Sequence, residues 1–396
     1  MAYYFIFPQT DTTLYSHPDR KSMNAGADEL LELVKEPGSN DQYHHPSRIL
    51  IKFKNEEILN TISLMGDTNF TSSLSSSVNL QLTLAEANNI VSNHLINAYA
   101  VSQSWDEGTG KYLNTPSASN GCSWTFRDNS IAATEWAGVT DITDNFGSGG
   151  GTGSIFSSSG AGAPLTPGGG TWYTGSAFFG TQQFLKGDNL DTDIDVKEII
   201  HKFSASLNAG KNYPEGINNH GFLIKTTDNI ESSASSSFGE FQYFSSDTHT
   251  IYPPKLCFKW DDSIQIPTQV TNGKSGSLFV SLYNNKKEYN QNDETVFRIH
   301  VRDKYPKRAF VNNSNYLNVG YLPTSSYYSI RDAHTEREVI PFDDSFTKLS
   351  ADSEGMYFKL YMKGLQPERY YRILLKNKNK DGTVIYDDKY YFKVVR

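Results

Sequence analysis

The chain has 396 residues, of which 37% are hydrophobic and 20% charged, with 24 Tyr, 23 Phe, 30 Gly, two Cys and a formal net charge of −8. That length provides material for two or three domains, and an aromatic share of 13% excludes a wholly disordered chain, which lacks such large burial units. Tyr, Phe, Thr, Ser, Asn and Gly outweigh the good helix formers, so a coiled coil or helical bundle is excluded in favour of short strands joined by turns.

The amino terminus, Met1-Ala2-Tyr3-Tyr4-Phe5-Ile6-Phe7-Pro8, reads as a dense aromatic strand with no basic region or cleavage site, and Asp11-Thr12-Thr13-Leu14-Tyr15 follows it. Further strands are expected at Arg48–Phe53, Asn79–Leu84, Ile96–Val101, Gly221–Lys225 and Lys255–Trp260, several with period-two alternation. Short helices are expected at Glu56–Leu59, at Leu84–Val91 and at Asp195–Phe203. Between residues 145 and 176 the glycine runs Gly147–Gly153 and Pro167–Gly170 flank Ser-rich sequence, the composition of a flexible surface excursion.

From Ser277 onward six alternating segments recur: Ser277–Tyr283, Val296–Val301, Tyr327–Ile330, Met356–Met362, Tyr370–Leu375 and Tyr390–Val395. Turn signals punctuate them, Asp381-Gly382 being the clearest hairpin marker. The charge also divides here. Residues 255–396 carry 23 Lys/Arg against 17 Asp/Glu, a net of +6, which leaves −14 on residues 1–254. Two modules with different surfaces are therefore expected, residues 1–262 and 263–396, the second an immunoglobulin-like sandwich.

Several segments of the first module occur together in a telling order: Ser47–Phe53, Trp105-Asp106-Glu107-Gly108-Thr109-Gly110, Cys122-Ser123-Trp124, Trp136, Asp193–Val196, Asn219–Lys225, Phe241 with Ser245-Ser246, and Pro254-Lys255-Leu256. This pattern resembles the DNRLRE-type jelly-roll domains, similar to some carbohydrate-binding modules. The resemblance implies a mainly β protein: an amino-terminal jelly-roll sandwich with a few short helices and a Gly/Ser-rich insertion at 145–176, then the carboxy-terminal sandwich. An unexported jelly roll joined to an immunoglobulin-like domain is also similar to structural proteins of tailed-phage particles. That likeness implies a non-enzymatic virion subunit of the tail, neck, baseplate or capsid decoration, present in repeated copies and contacting other virion structural proteins.

The alternative is a carbohydrate-binding or host-receptor module in which Trp105 and Trp124 stack on a surface glycan and Asp106 hydrogen-bonds it; against it, a single Trp after a strand is usually packing, so Trp105 reads first as a core residue beside a glycine-shaped loop. Asp188, Asp191 and Asp193 offer hard oxygen donors at short intervals, as a structural calcium would require, but lack the EF-hand pattern, and Asp195 reads as a helix cap. The pair His44-His45 is expected in a polar loop, and Asp343-Asp344 and Asp387-Asp388 at hairpin turns. Lys304, Lys307 and Arg308 cluster around Tyr305, and Lys376, Lys378 and Lys380 alternate through an expected loop; with an acidic total and no binding motif, nucleic acid is not an expected partner. No apolar run approaches the roughly 20 residues of a bilayer crossing, so no membrane contact is expected. Neither Cys122 nor Cys257 has metal-ligand spacing around it, no cofactor is expected, and no catalytic motif is present.

Overall fold

The structure, a computed structural model, describes residues 2–37, 44–66, 70, 76–90, 93–111, 120–130, 132–136, 151–153, 168–185, 187–207, 216–232, 239–265, 278–283, 285–305, 319–379 and 382–396. It is mainly β, of the β-sandwich class, with 50% strand and 11% helix. The chain divides into two compact units. Ile6–Leu64 with Val78–Cys257 form the larger, and Met1–Phe5, Met65–Ser77 and Phe258–Arg396 form the carboxy-terminal unit.

The elements up to the end of the larger unit are β1 (Ala2–Ile6), β2 (Thr10–Tyr15), β3 (Leu30–Pro37), β4 (His44–Lys52), α1 (Asn55–Met65), β5 (Ser76–Leu82), β6 (Leu84–Asn88), β7 (His94–Ala100), β8 (Phe126–Asp128), β9 (Thr134–Glu135), β10 (Gly151–Gly153), β11 (Trp172–Thr174), β12 (Phe179–Phe184), β13 (Thr192–Asp195), α2 (Lys197–Leu207), β14 (Phe222–Thr226), α3 (Asp228–Ser232), β15 (Glu240–Phe244) and β16 (Lys255–Trp260). One sheet runs β12-β7-β14-β4-β3-β15-β6, with β2 also paired to β4, and a four-stranded sheet has the order β1-β16-β5-β13. In the first sheet β2, β4 and β14 are buried almost throughout, which the Ile, Leu and Phe content of β4 and β14 favours, whereas β2 buries Asp11, Thr12 and Thr13 beside Leu14 and Tyr15. One face of β4 and β14 presents Leu50 and Leu223 to a tryptophan-rich cluster. Residues of the opposite parity meet an aromatic group in which Phe222 packs 6.1 Å from Phe53 and 5.6 Å from Phe203 of α2. Helix α2 starts where Asp195 accepts the Lys197 amide at 3.0 Å, and buries Ile199, Ile200 and Phe203 on one face.

Two sequence expectations change in the larger unit, one helix was not expected, and one expectation lies partly outside the described residues. Leu84–Asn88 is strand β6, not helix, because Glu86 and Ala87 pair with Gln242 and Phe241 of β15; Val91 lies outside the described residues. His44 and His45 open β4 rather than a loop, pairing with Pro37 and Glu36. The helix α3 carried no periodicity long enough to read. Of the 145–176 excursion, residues 151–153 and 168–176 are described, and β10 pairs with β11; the rest lies outside the described residues.

The carboxy-terminal unit contains β17 (Leu278–Tyr283), β18 (Glu288–Asn290), β19 (Glu294–Asp303), β20 (Ser326–Asp332), β21 (Glu338–Ile340), β22 (Ser350–Asp352), β23 (Gly355–Tyr361), β24 (Arg369–Asn379) and β25 (Gly382–Val395). They form a four-stranded sheet, β17-β19-β23-β22, and a five-stranded sheet, β18-β25-β24-β20-β21, in which β18 runs parallel to β25. The two sheets meet through aromatic rings. Phe358 stacks on Phe297 at 5.1 Å and on Tyr328 of the other sheet at 4.3 Å, while Phe392 lies 5.7 Å from Phe297 and 5.5 Å from Tyr371. The amino-terminal residues join this unit: Tyr3 Oη donates to Asp343 at 3.0 Å, and the Tyr4 and Trp260 rings flank Tyr361 at 6.0 and 5.7 Å.

The hairpin expected near Asp381 is present, with Asn379 opposite Gly382, although Lys380 and Asp381 lie outside the described residues. Asp387 and Asp388 are not at a turn. They sit inside β25, where the register slips opposite Leu374, and Asp387 pairs with Arg372. Lys376 and Lys378 likewise belong to strand β24 and not to a loop.

Candidate functional site

The tryptophans named from the sequence, Trp105, Trp124 and Trp136, are brought together with Trp172, and all four are buried. Trp105, Trp124, Trp136 and Trp172 form one cluster with Leu14, Leu50, Val101, Cys122 and Leu223. Trp105 Nε1 donates to the His220 carbonyl at 2.8 Å and Trp136 Nε1 to the Ser123 carbonyl at 2.9 Å, so each indole satisfies its polar atom while its ring fills core. Asp106 is exposed, with its backbone bonded to Arg127 and Cys122.

Beneath the indoles lies a charged network absent from the sequence expectations. Arg48 of β4 reaches Glu231 of α3 through Nε at 3.2 Å and Nη2 at 2.9 Å, and Lys225 of β14 reaches the same carboxylate at 2.8 Å. The Arg48 guanidinium lies 4.6 Å from the Trp124 ring centre and 5.0 Å from that of Trp172, and Lys225 Nζ lies 4.8 Å from Trp172. Burial disfavours the Glu231 anion, yet Arg48 and Lys225 together hold its carboxyl below the usual carboxylate range. Arg48 Nη1 also donates to the Gly169 carbonyl at 2.7 Å, and the Gly169 amide donates to the Trp124 carbonyl at 2.6 Å. A Cβ on Gly169, at φ +77°, would lie 2.6 Å from Arg48 Nη1 and 2.7 Å from the Trp124 ring. The glycines that end the Gly/Ser-rich excursion are thus demanded by the core they touch.

The Trp105–Gly110 loop wraps a single buried amide. Asn24 Nδ2 donates to the carbonyls of Glu107 and Cys122 at 2.6 and 2.7 Å, and its Oδ1 accepts the amides of Gly110 and Gly26 at 2.7 and 3.2 Å. A Cβ on Gly108, at φ +79°, would lie 2.4 Å from Asn24 Oδ1, so the glycine spacing of the motif is explained by close packing.

That loop carries Glu107 to β2, where a pair of carboxyls forms. The Asp11 amide donates to Glu107 Oε1 at 2.8 Å, and Asp11 Oδ2 accepts the Ser246 amide at 2.7 Å. Asp11 is 1% exposed, and its Oδ1 is buried with no hydrogen-bond partner. Burial, followed by the repulsion of Glu107 and Asp247, pushes the Asp11 carboxyl up to about 7 despite the Ser246 amide. Burial, with Asp247 and Asp106 adding, pushes Glu107 up to about 7 as well. Two segments quoted for the family resemblance, Trp105–Gly110 and Ser245-Ser246, therefore converge with β2 on one acid pair.

The remaining candidates are placed apart. Asp188 accepts the Leu185 amide at 2.8 Å, Asp191 the Leu84 amide at 2.8 Å, and Asp193 the Gln81 side-chain amide at 2.9 Å, so each carboxylate serves a separate turn or strand end. Among the described residues, no group of three or more His, Cys, Asp or Glu is arranged to hold a metal ion. No described helix is long and apolar enough to cross a membrane.

On the carboxy-terminal unit, alternation along β17 leaves Phe279 (41% exposed) and Tyr283 (62% exposed) on the outer face. Register sets Phe279 beside Arg302, Tyr283 beside Arg298, and Arg298 beside Tyr357 of β23. The Arg302 guanidinium lies 4.5 Å from the Phe279 ring centre, and Arg298 lies 5.2 Å from Tyr357 while bonding Asp352 through both Nη atoms at 2.8 and 2.9 Å. Val296 is 43% exposed on the same strand as the two arginines. Lys304 and the exposed Tyr305 follow β19; Lys307 and Arg308 lie outside the described residues. A scan against family models finds no match to this chain, and a search of curated proteins finds none either.

Proposed function

We propose that the chain is a non-enzymatic structural subunit of a phage-like virion, attached at the tail, neck or baseplate, and that it works through protein contacts with other virion subunits and repeated copies of itself. In this reading the larger unit is the jelly roll and the carboxy-terminal unit the immunoglobulin-like sandwich. The observation that carries the reading is the outer face of the β17-β19-β23 sheet. Aromatic and Arg side chains are enriched at protein interfaces, where a planar guanidinium and a ring offer large contact area at low entropic cost. Here Phe279, Tyr283 and Val296 are exposed with Arg298 and Arg302 held over neighbouring rings, which is a preorganised contact surface. The reading is tested by purifying the particle and measuring the stoichiometry of this chain, with wild type and a Phe279→Ala/Tyr283→Ala double variant. Stoichiometric incorporation of wild type and loss of the variant, with its fold retained by circular dichroism, is expected. Absence of wild type from any particle overturns it.

A further inference from the structure

We infer that Asp11 and Glu107 form a carboxyl latch that holds β2, the Trp105–Gly110 loop and the Ser245–Asp247 segment together, and that loosens as the pH rises through neutrality. The geometry makes the latch continuous. The Ser246 amide donates to Asp11, the Asp11 amide donates to Glu107, and the Glu107 carbonyl accepts from Asn24, so each carboxyl anchors the backbone of a neighbouring segment. Ser245 extends it, its Oγ donating to the Asp28 carbonyl at 2.6 Å and its amide to the Glu29 carbonyl at 3.1 Å.

The charges acting on the pair are of one sign. Asp247 acts on both carboxyls and Asp106 on Glu107. Asp28 and Glu29 precede β3. On β4, Ile51 lies opposite Asp11 and Lys52 opposite Thr10. Burial, with the Lys52 and Arg127 cations adding, pushes the His220 ring below the ordinary imidazole range. With one proton on the pair, Asp11 and Glu107 carry a single negative charge between them. With none, the buried Asp11 anion is repelled by the half-buried Glu107 anion, and Asp11 Oδ1 bears charge without a donor.

The sign follows from linkage. Both carboxyls hold a proton more tightly in the folded chain than in the unfolded one, so the stability they contribute at acid pH is lost as the pH rises toward 7. Each proton that the folded pair holds and the unfolded chain has lost changes the opening equilibrium by about tenfold per pH unit between pH 5 and 7.

Amide hydrogen exchange at Ser246, corrected for the intrinsic rate, and urea unfolding of the full chain between pH 5 and 8.5 test this in wild type, Asp11→Asn and Glu107→Gln. Each variant keeps an oxygen for the amide it accepts, and two are used so that misfolding of one leaves the other to decide. The expected result is that wild-type Ser246 protection falls by at least about tenfold per unit between pH 5 and 7 and levels off above it, while each variant shows a shallower fall. Wild-type protection independent of pH, or a folded variant that keeps the wild-type slope, overturns the latch. So does a millimolar addition of calcium or magnesium ion that restores wild type at pH 8 and leaves the variants unchanged, since the pair would then hold a cation and not a proton.

Discussion

Glu231 balances two cations at a site where water does not reach. Replacing it with Gln keeps the shape and one acceptor but leaves Arg48 buried against the indoles without an anion and Lys225 with Asp228 alone, at 2.6 Å. Removing one partner of a buried pair typically costs about 3–5 kcal/mol, so Glu231→Gln is expected to shift the urea midpoint of the larger unit strongly; a change below ~1 kcal/mol would show that the network contributes little beyond packing. Its pH linkage runs opposite to that of Asp11. The Glu231 carboxyl is depressed when folded, so its contribution is present above the ordinary Glu range and is lost as the pH falls through its folded value. The Asp11 and Glu107 contributions are lost as the pH climbs toward 7. The two slopes together place the stability maximum of the larger unit near pH 5, measurable as thermal midpoints in a pH series, and a maximum at pH 8 would contradict the Asp11 and Glu107 assignment.

At the scale of elements, the glycine loop and the strands were unequally legible. Strands β14 and β16 could be read closely because Phe222–Lys225 and Leu256–Trp260 combine β-favouring residues with nearby turn signals. Leu84–Asn88 could not, since its Ala and Glu content favours helix and only the pairing with β15 makes it strand, a partner more than 150 positions away. The glycine motif was visible, but its cause was not: Asn24 lies 83 residues from the carbonyl it binds in that loop. Arg48 inside Ile-rich β4 and Lys225 inside β14 were the available hints of a buried network, and nothing local pointed to Glu231 as their partner. Asn24→Ala strips bonds from two carbonyls and two amides in one step, each buried polar group left unpaired costing about 1–3 kcal/mol. The variant is expected to unfold the 105–110 loop or the whole unit, seen as loss of Gly110 exchange protection; unchanged protection would mean the loop is held by Trp105 alone. In the other unit Phe358 bridges both sheets, and Phe358→Ala is expected to cost about 3–5 kcal/mol, as core Phe truncations do.

For the molecule as a whole, the net charge of −8 conceals an opposition, −14 on residues 1–254 and +6 on residues 255–396. In the carboxy-terminal unit many cations are already matched: Arg298 by Asp352, Arg331 by Glu338, Arg369 by Asp332, Lys393 by Glu368, and Arg372 by Asp387 and Glu336. Charge left over for a partner therefore lies away from those pairs, and Arg302 and Lys304 at the end of β19, beside Phe279 and Tyr305, are placed to supply it. On the proposed assembly function, this corner meets an acidic surface, and the residues 1–254 of a repeated copy provide one. Rim charges act mainly on the rate of encounter and are screened within about 8–10 Å at physiological salt, whereas a buried aromatic contact is not. The two contributions can be separated by measuring association of the purified chain by sedimentation at 50 and 500 mM salt. An Arg302→Glu/Lys304→Glu variant is expected to associate weakly at both concentrations, wild type to weaken as salt rises, and Phe279→Ala to lose affinity while retaining the wild-type salt slope. If wild-type association is the same at both salts, charge opposition plays no part in assembly and the aromatic face alone must account for it.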